Sequence, residues 1–459
     1  MSLAALDAEV ARDLDRLAFA GPDWTRTPAG VLDVAIVGGG QSGLGAAFGL
    51  LRERIGNIAV LDENPAGYEG PWDTYARMVT LRTPKHLTGI DLGVPSLTFR
   101  AFWEAQHGAE GWAALDKIAR ADWMAYLRWY RRVLALPVRN DTRVVRIEPL
   151  GDGTHRLHAA DGATLLARKV ILATGIQGGG EWHTPAMIRD ALPPHLYAHT
   201  SQPIDHAALR GKRLAILGGG ASAFDNAYHA LTEGAAQAHV FVRRAALPQV
   251  NPIRFMERSG FIARYPALGD AHKYAVMASF FARSQPPTND TFARAAACPG
   301  FALRLGSPWL SVRNTGEGVE IVTPRGGSTY DFLILSTGLV TDPALRPELA
   351  GVAADIARWG DRYAAPAAIA NPVIDAHPYL GPGFELQPRT SDAAARLHGL
   401  FAFNYSGLIS LGLSASALSG LKYALPRLVR GVADQLFRED APALIDDYLA
   451  YDEPEFTAA

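Results

Sequence analysis

Residues 34–45 read Val-Ala-Ile-Val-Gly-Gly-Gly-Gln-Ser-Gly-Leu-Gly, and residues 215–223 read Ala-Ile-Leu-Gly-Gly-Gly-Ala-Ser-Ala. Each is an apolar run of buried-strand composition that breaks into glycines and turns into a small-residue helix start. One such turn has many structural uses, but its duplication constrains the chain to a pair of dinucleotide-binding β–turn–α units. In the first, Gly38 lets the chain turn sharply, Gly40 lets backbone N–H groups approach a diphosphate, and Gly43 lets the helix pack on the strand. Gly218, Gly220 and Ala223 hold the corresponding places in the second. The diphosphate then sits at the positive end of each helix.

The strands that follow end differently. Ile58-Ala59-Val60-Leu61 runs into Asp62, whereas His239-Val240-Phe241-Val242 runs into Arg243 and Arg244, at the same distance from the first glycine within one residue. An acid accepts hydrogen bonds from free ribose hydroxyls, and arginine pairs with a 2′-phosphate. The first unit is therefore expected to hold a cofactor with an unmodified ribose and the second NADPH. Each unit is closed by a further apolar strand whose small end lets the chain approach bound adenosine: residues 169–175 end in Thr174 and Gly175, and residues 332–338 end in Thr337 and Gly338.

Two nucleotide units imply electron transfer between two nucleotides, and the cofactor that takes a hydride and passes it on is a flavin, so FAD in the first unit is the economical reading. The only cysteine is Cys298. Disulfides, cysteine–zinc sites and a redox-active dithiol are thereby removed, no metal site is expected, and a reducing cytoplasm fits. Electrons must then go to oxygen, to a small acceptor or to a partner protein. A net charge of −2 gives no electrostatic case for nucleic acid or an anionic membrane.

With 459 residues, 48% of them hydrophobic, the chain can bury a large core and should divide into two or three domains. The fold expected is α/β, with two Rossmann-like three-layer domains, the NADPH domain inserted into the FAD domain. The expected organisation is a lead-in over 1–30, the first part of the FAD domain over 31–200, the NADPH domain over 201–340, and the C-terminal part of the FAD domain over 341–459. Residues 1–15 carry charges at helical spacing and are expected to form a helix rather than a signal peptide. Residues 400–421 carry no charge and are long enough to span a bilayer. Their serines and Asn404 favour a buried strand, turn and helix, with the helix over 411–425. Residues 120–133 alternate aromatic and basic side chains at helical spacing, which predicts an amphipathic helix with an aromatic core face.

The loop after Asp62 lies at the carboxyl edge of the sheet, so Trp72 is a candidate flavin neighbour, or else a packed loop anchor. Arg77, Arg82 and Lys85 follow close to the expected cleft, where cations could hold phosphates or polarise an oxygen species. Asn404 is a candidate flavin or substrate contact, or the cap of a turn.

With these residues the chain resembles the class B flavoprotein monooxygenases: the flavin-containing, Baeyer–Villiger and N-hydroxylating monooxygenases. The resemblance spans roughly residues 30–430 and rests on the paired glycine turns, both Thr-Gly strand ends, Gly70-Pro71-Trp72 and residues 75–85. It implies FAD, reduction by NADPH, and a flavin C4a-(hydro)peroxide that oxygenates a small organic substrate with O2. Two departures point to an outlying branch. Arg82 stands where the flavin-containing branch has an asparagine beside the flavin, which makes Arg82 the candidate to assist the oxidant. Aligned on His199, the superfamily fingerprint Phe-x-Gly-x-x-x-His meets Pro193 and His195 in place of Phe and Gly. The alternative is an NADPH-dependent flavoprotein reductase serving a quinone or a partner protein, against which residues 75–85 argue.

Overall fold

The computed structural model describes residues 2–87, 89–258, 260–415 and 417–456. Its first sheet is built on β1 (Val31–Val37), which leads through the glycines into α1 (Gln41–Arg52) and then β2 (Ile58–Leu61). The aromatic helix α2 (Arg120–Val133) follows, and β3 (Thr164–Leu172) closes the unit. β1 pairs in parallel with both neighbours, Val37 standing opposite Leu61 on one side and Leu172 on the other. The three strands therefore end at one level, and Gly38, Asp62 and Ala173 share one edge. Val138–Arg139 extends the sheet beyond β2, and Leu400–Phe401 pairs in parallel with the end of β3. The continuous Val/Ile/Leu runs are what a parallel sheet covered on both faces demands.

The second unit repeats the arrangement. β4 (Arg213–Leu217), α3 (Ala221–Thr232), β5 (Gln237–Phe241) and β6 (Phe332–Leu335) give a five-stranded parallel sheet completed by Phe301–Arg304 and Tyr197–His199. Leu217 faces Phe241 and Leu335, so these strands too end together. This sheet already includes residues 197–199, ahead of 201. The chain passes between the units twice, and the two passages pair as a short antiparallel ribbon, Gly180–Trp182 with Leu339–Thr341.

A helical layer joins the two α/β units. Pro252–Arg258, Phe261–Arg264, Asp270–Arg283 and Asn289–Ala296 lie between β5 and the next strand of its sheet. Several of their apolar side chains share a core with Trp359, Ile374, Leu408, Ile409 and Leu413 from the C-terminal part.

The C-terminal helix α4 (Leu418–Ala450) runs beside α1 in the same direction. A Cβ on Gly45 would meet Leu425, and one on Gly49 would meet Val429, so two bare helix surfaces allow the close approach. The expected helix over 411–425 is corrected. Leu408–Leu411 ends at Gly412, whose φ of +73° leaves the helical region, and α4 begins only at Leu418. Ser416 lies outside the described residues. Among the described residues no helix is long and apolar enough to cross a membrane.

The first core also contains a buried ionic cluster at Arg168 and Lys169 of β3. Arg168 bonds Asp440 at 2.7 Å and Glu439 at 2.9 Å, and fully buried Lys169 pairs with Glu439. Ions removed from water persist only when paired, so this cluster fastens α4 to the sheet.

Candidate active site

At the first turn, Gly38 has φ +107°, and a Cβ there would lie 2.5 Å from the Ala173 carbonyl oxygen. A Cβ on Gly43 would lie 1.8 Å from the Gly38 carbonyl oxygen. Both positions are closed to any side chain by backbone. Gly40 differs: its nearest neighbour would be Gly70 Cα at 3.5 Å, an ordinary contact, so what its missing side chain leaves free is approach from outside. Asp62 is buried beside this turn. Its Oδ2 accepts from the Gly39 N–H at 2.7 Å, and its Oδ1 accepts from the Asn64 N–H at 2.8 Å. Burial, with Glu69 nearby, holds its carboxyl above the usual range.

Two buried polar groups near the turn have no partner among the described residues: the Trp72 indole N–H and the Ser419 hydroxyl. Trp72 follows Gly70 and Pro71, the segment that packs over Gly40. Ser419 stands in the first turn of α4, whose N-terminus opens on the same side as that of α1. Buried donors are ordinarily satisfied, so orphans grouped around two parallel helix N-termini fit an elongated anionic ligand such as FAD. A cavity of about 520 Å³ adjoins Gly39 between residues 66–69 and α2. Met124, Leu127, Arg128 and Arg131 line it from the helix. Arg131 forms an ion pair with Glu69, which also accepts from the Asn140 amide at 2.7 Å. The expected aromatic core face of α2 is present, with Trp123, Tyr126, Trp129 and Tyr130 buried. Sequence reasoning missed that its basic residues wall a cavity, although their interleaving with the aromatics was the available signal.

The second turn copies the first. Gly218 has φ +131°, and its Cβ would lie 2.2 Å from the Ser336 carbonyl oxygen, the residue before Thr337-Gly338 just as Ala173 precedes Thr174-Gly175. Around Gly220 a Cβ would meet nothing within 4 Å, and Ala223 is fully buried under the helix start. The adjacent arginines part company. Arg244 donates to the Ala282 carbonyl at 3.2 Å, the Arg283 carbonyl at 3.3 Å and the Ser284 hydroxyl, capping the helix Asp270–Arg283. Arg243 is exposed beyond Val242, whose side chain packs on Gly219.

The Thr-Gly ends are tied into the connections between units. The Thr174 hydroxyl accepts from the Asn404 amide at 3.0 Å, and that amide also donates to the Gly178 carbonyl at 3.2 Å. Asn404 Oδ1 accepts from the Ser406 N–H at 2.9 Å, so every polar atom of this buried side chain is engaged within the chain. The Thr337 hydroxyl donates to the His183 carbonyl, and the Gly338 carbonyl accepts from the His183 N–H at 2.9 Å. His199 stands at the same crossing. Its Nε2 lies 3.0 Å from the Gly338 carbonyl oxygen, Nδ1 accepts from the Ser201 N–H, and burial pushes its pKa down to about 4. Arg82 faces the second unit, where it ion-pairs with Asp225 of α3. Lys85 instead donates to the carbonyls of Trp112 and Leu115 at 2.5 Å.

The contrast between Arg243 and Arg244 has a measurable consequence. Arg243→Ala should raise the KM for NADPH by about tenfold to a hundredfold, the worth of a charge-assisted bond, and leave that for NADH unchanged. Arg244→Ala should lower the melting temperature with little effect on nucleotide preference. Equal losses with both nucleotides in Arg243→Ala would refute the assignment.

Comparison with known proteins agrees with this geometry. Residues 35–177 match a family described as FAD-NAD(P)-binding, and residues 112–267 match the L-lysine 6-monooxygenase/L-ornithine 5-monooxygenase family. Among solved structures, reduced ornithine hydroxylase (PvdA) from Pseudomonas aeruginosa superposes with a TM-score of 0.70 at 20% identity, covering 88% of this chain and all of that one. The FAD-bound cadaverine monooxygenase DfoA from Erwinia amylovora gives 0.64 at 18% identity, covering 88% of this chain and 95% of that one. The FAD-dependent urate hydroxylase of Xanthomonas campestris is 66% identical over 461 residues, covering 99% of this chain and 98% of that protein. The chain therefore belongs to the family of that FAD-dependent hydroxylase, as a flavoprotein monooxygenase with an FAD-NAD(P)-binding domain.

Proposed function

We propose that this enzyme is a urate hydroxylase, with FAD on the turn at 38–43 and NADPH on the turn at 218–223. The observation that carries the reading is the 66% identity to the Xanthomonas urate hydroxylase, sustained over 99% of the chain. The balance is urate, O2, NADPH and a proton giving hydroxylated urate, NADP⁺ and water. Bound FAD supplies the redox chemistry, accepting the hydride and activating dioxygen.

The rest falls to the chain's own residues. The N-termini of α1 and α4 place two positive helix ends on one side, which favours negative charge on a ligand held there. Asn404 acts as a positioning residue that fixes Thr174 and the 404–407 turn. Arg82 and Arg254 are neutralised by Asp225 and Glu257, whereas Arg77, which donates to the Thr74 carbonyl and lies beside His206, offers a cation to urate, a planar anion at neutral pH. The single Cys298 supports a cytoplasmic setting.

The test compares NADPH oxidation and oxygen uptake with urate, xanthine, L-ornithine and L-lysine under ¹⁸O2. Urate should stimulate both at a ratio near one, and the product should carry one ¹⁸O atom. Stimulation by ornithine or lysine alone would transfer the enzyme to N-hydroxylation. Hydrogen peroxide without labelled product would support the reductase alternative.

A further inference from the structure

Residues 75–85 leave the first unit as a strap, close behind the Gly70 to Trp72 segment that packs over Gly40. The strap ends its path against one face of α3, the helix behind the second glycine turn. Asp225 and His229 stand one helical turn apart on that face. Asp225, only 4% exposed, ion-pairs with Arg82 of the strap, and Arg254 donates to the Arg82 carbonyl at 3.0 Å. One turn further on, His229 meets His206 edge to face with ring centroids 4.4 Å apart, and His206 Nε2 lies 3.4 Å from Nε of Arg77. Arg77 is held in turn by the Thr74 carbonyl at 3.1 Å. Arg82 is thus taken up by the helix whose N-terminus forms the second nucleotide seat, and Arg77 reaches the same helix only through His206, which packs on His229.

The chemistry of the pair makes this contact obligatory. A carboxylate as buried as Asp225 is unstable without a counter-charge, and the strap supplies the one in direct contact, Arg82, with Arg294 adding to it at longer range. Burial raises the Asp225 carboxyl above its usual range while Arg82 draws it back. The Arg82 Nε–H is itself buried and has no partner among the described residues, and the guanidinium is anchored to α3 through its Nη end. Anything that shifts α3, such as a nucleotide seated at Gly220, therefore moves a charge that is fastened to the strap.

We propose that Asp225 and Arg82 form the coupling contact through which occupancy of the second nucleotide turn is felt by the strap beside the first. Both are positioning residues: they hold α3 and the strap in one register, so that a nucleotide on the 218–223 turn faces the flavin site correctly. This assigns Arg82 a different task from direct assistance to the oxidant, and it holds whatever the organic substrate is.

The experiment uses the FAD-loaded enzyme with NADP⁺ and NADPH as probes. Hydrogen exchange of residues 75–85 should slow on adding NADP⁺ to the wild type and not in Asp225→Asn, at unchanged FAD content. Anaerobic flavin bleaching by NADPH should slow on the order of tenfold to a hundredfold in Asp225→Asn, with the NADP⁺ dissociation constant from calorimetry moving far less. Arg82→Lys, which keeps an ion pair, should retain most of the coupling, and Arg82→Asp combined with Asp225→Arg should reduce faster than either single change. Normal bleaching and normal NADP⁺-induced protection in Asp225→Asn would overturn the proposal. So would an Arg82→Ala enzyme that bleaches normally and loses only coupling of oxygen to product.

Discussion

Gly43→Ala should purify as a colourless protein. The Cβ it adds would lie 1.8 Å from the Gly38 carbonyl oxygen and 3.0 Å from the Gly38 carbonyl carbon. These are backbone atoms of the turn itself, so no rotamer change relieves the contact. Either α1 lifts from β1 or the turn opens, and each moves the N–H groups that would hold a diphosphate. Overpacking of this kind costs about 1–3 kcal/mol in a core, and expressed at the binding turn it lowers FAD affinity by about tenfold to a hundredfold. Flavin absorbance per polypeptide after gel filtration measures the loss, and thermal unfolding measures the strain. Gly40→Ala separates the two, because its Cβ meets only Gly70 at 3.5 Å. That variant should keep its melting temperature in the FAD-free form and still bind FAD poorly. A yellow Gly43→Ala enzyme with normal melting would show that the helix is not seated as described.

What could be read in the sequence is what short-range chemistry encodes. A glycine at φ +107° or +131° pressed on a carbonyl has no substitute, so both turns announce themselves, and their apolar strands follow from burial on two faces. The Thr-Gly ends at 174 and 337 are legible for the same reason, since each closes over its own glycine turn. Asp62 and Arg243 stand beside their turns because strand lengths fix where the next strand must end. The rest depends on partners distant in sequence. Asp225 lies 143 positions from Arg82, and nothing local distinguishes it from any acid on a helix. For Asn404 the sequence leaves a ligand contact and a turn cap equally open, because its three partners, at 174, 178 and 406, converge only in the folded chain. The helical layer over 252–283 is invisible as a unit in the sequence, because its apolar residues are completed by Trp359, Ile374 and Leu408 from the far end of the chain. The start of α4 was placed too early for a related reason. A Cβ on Gly420 would lie 1.9 Å from the Leu413 carbonyl oxygen, so the loop doubles back on the first turn of the helix, an arrangement that hydrophobic periodicity does not record.

Gly218→Ala should give the complementary protein: yellow, reducible by dithionite, and nearly blind to NADPH. Its Cβ would approach the Ser336 carbonyl oxygen to 2.2 Å and the Ser336 carbonyl carbon to 2.9 Å, from a backbone at φ +131° that L-residues rarely adopt. Conformational strain of about 1–2 kcal/mol adds to the overlap, which together lower NADPH-dependent flavin reduction by about a hundredfold or more. FAD should be spared, because the packing of α3 on its sheet forms a core separate from the one that holds α1, β1 and α4. The measurement is flavin bleaching at 450 nm, roughly the usual absorbance maximum of an oxidised flavin cofactor, under NADPH and then dithionite without oxygen. If Gly218→Ala lost flavin as Gly43→Ala does, the two units would be one folding element. If it bleached normally with NADPH, the reducing nucleotide would sit elsewhere, and the acid-to-arginine contrast between Asp62 and Arg243 would lose its meaning. A flavin that stays in place yet answers only to dithionite leaves one arrangement, in which each glycine turn serves its own nucleotide and electrons cross from the second to the first.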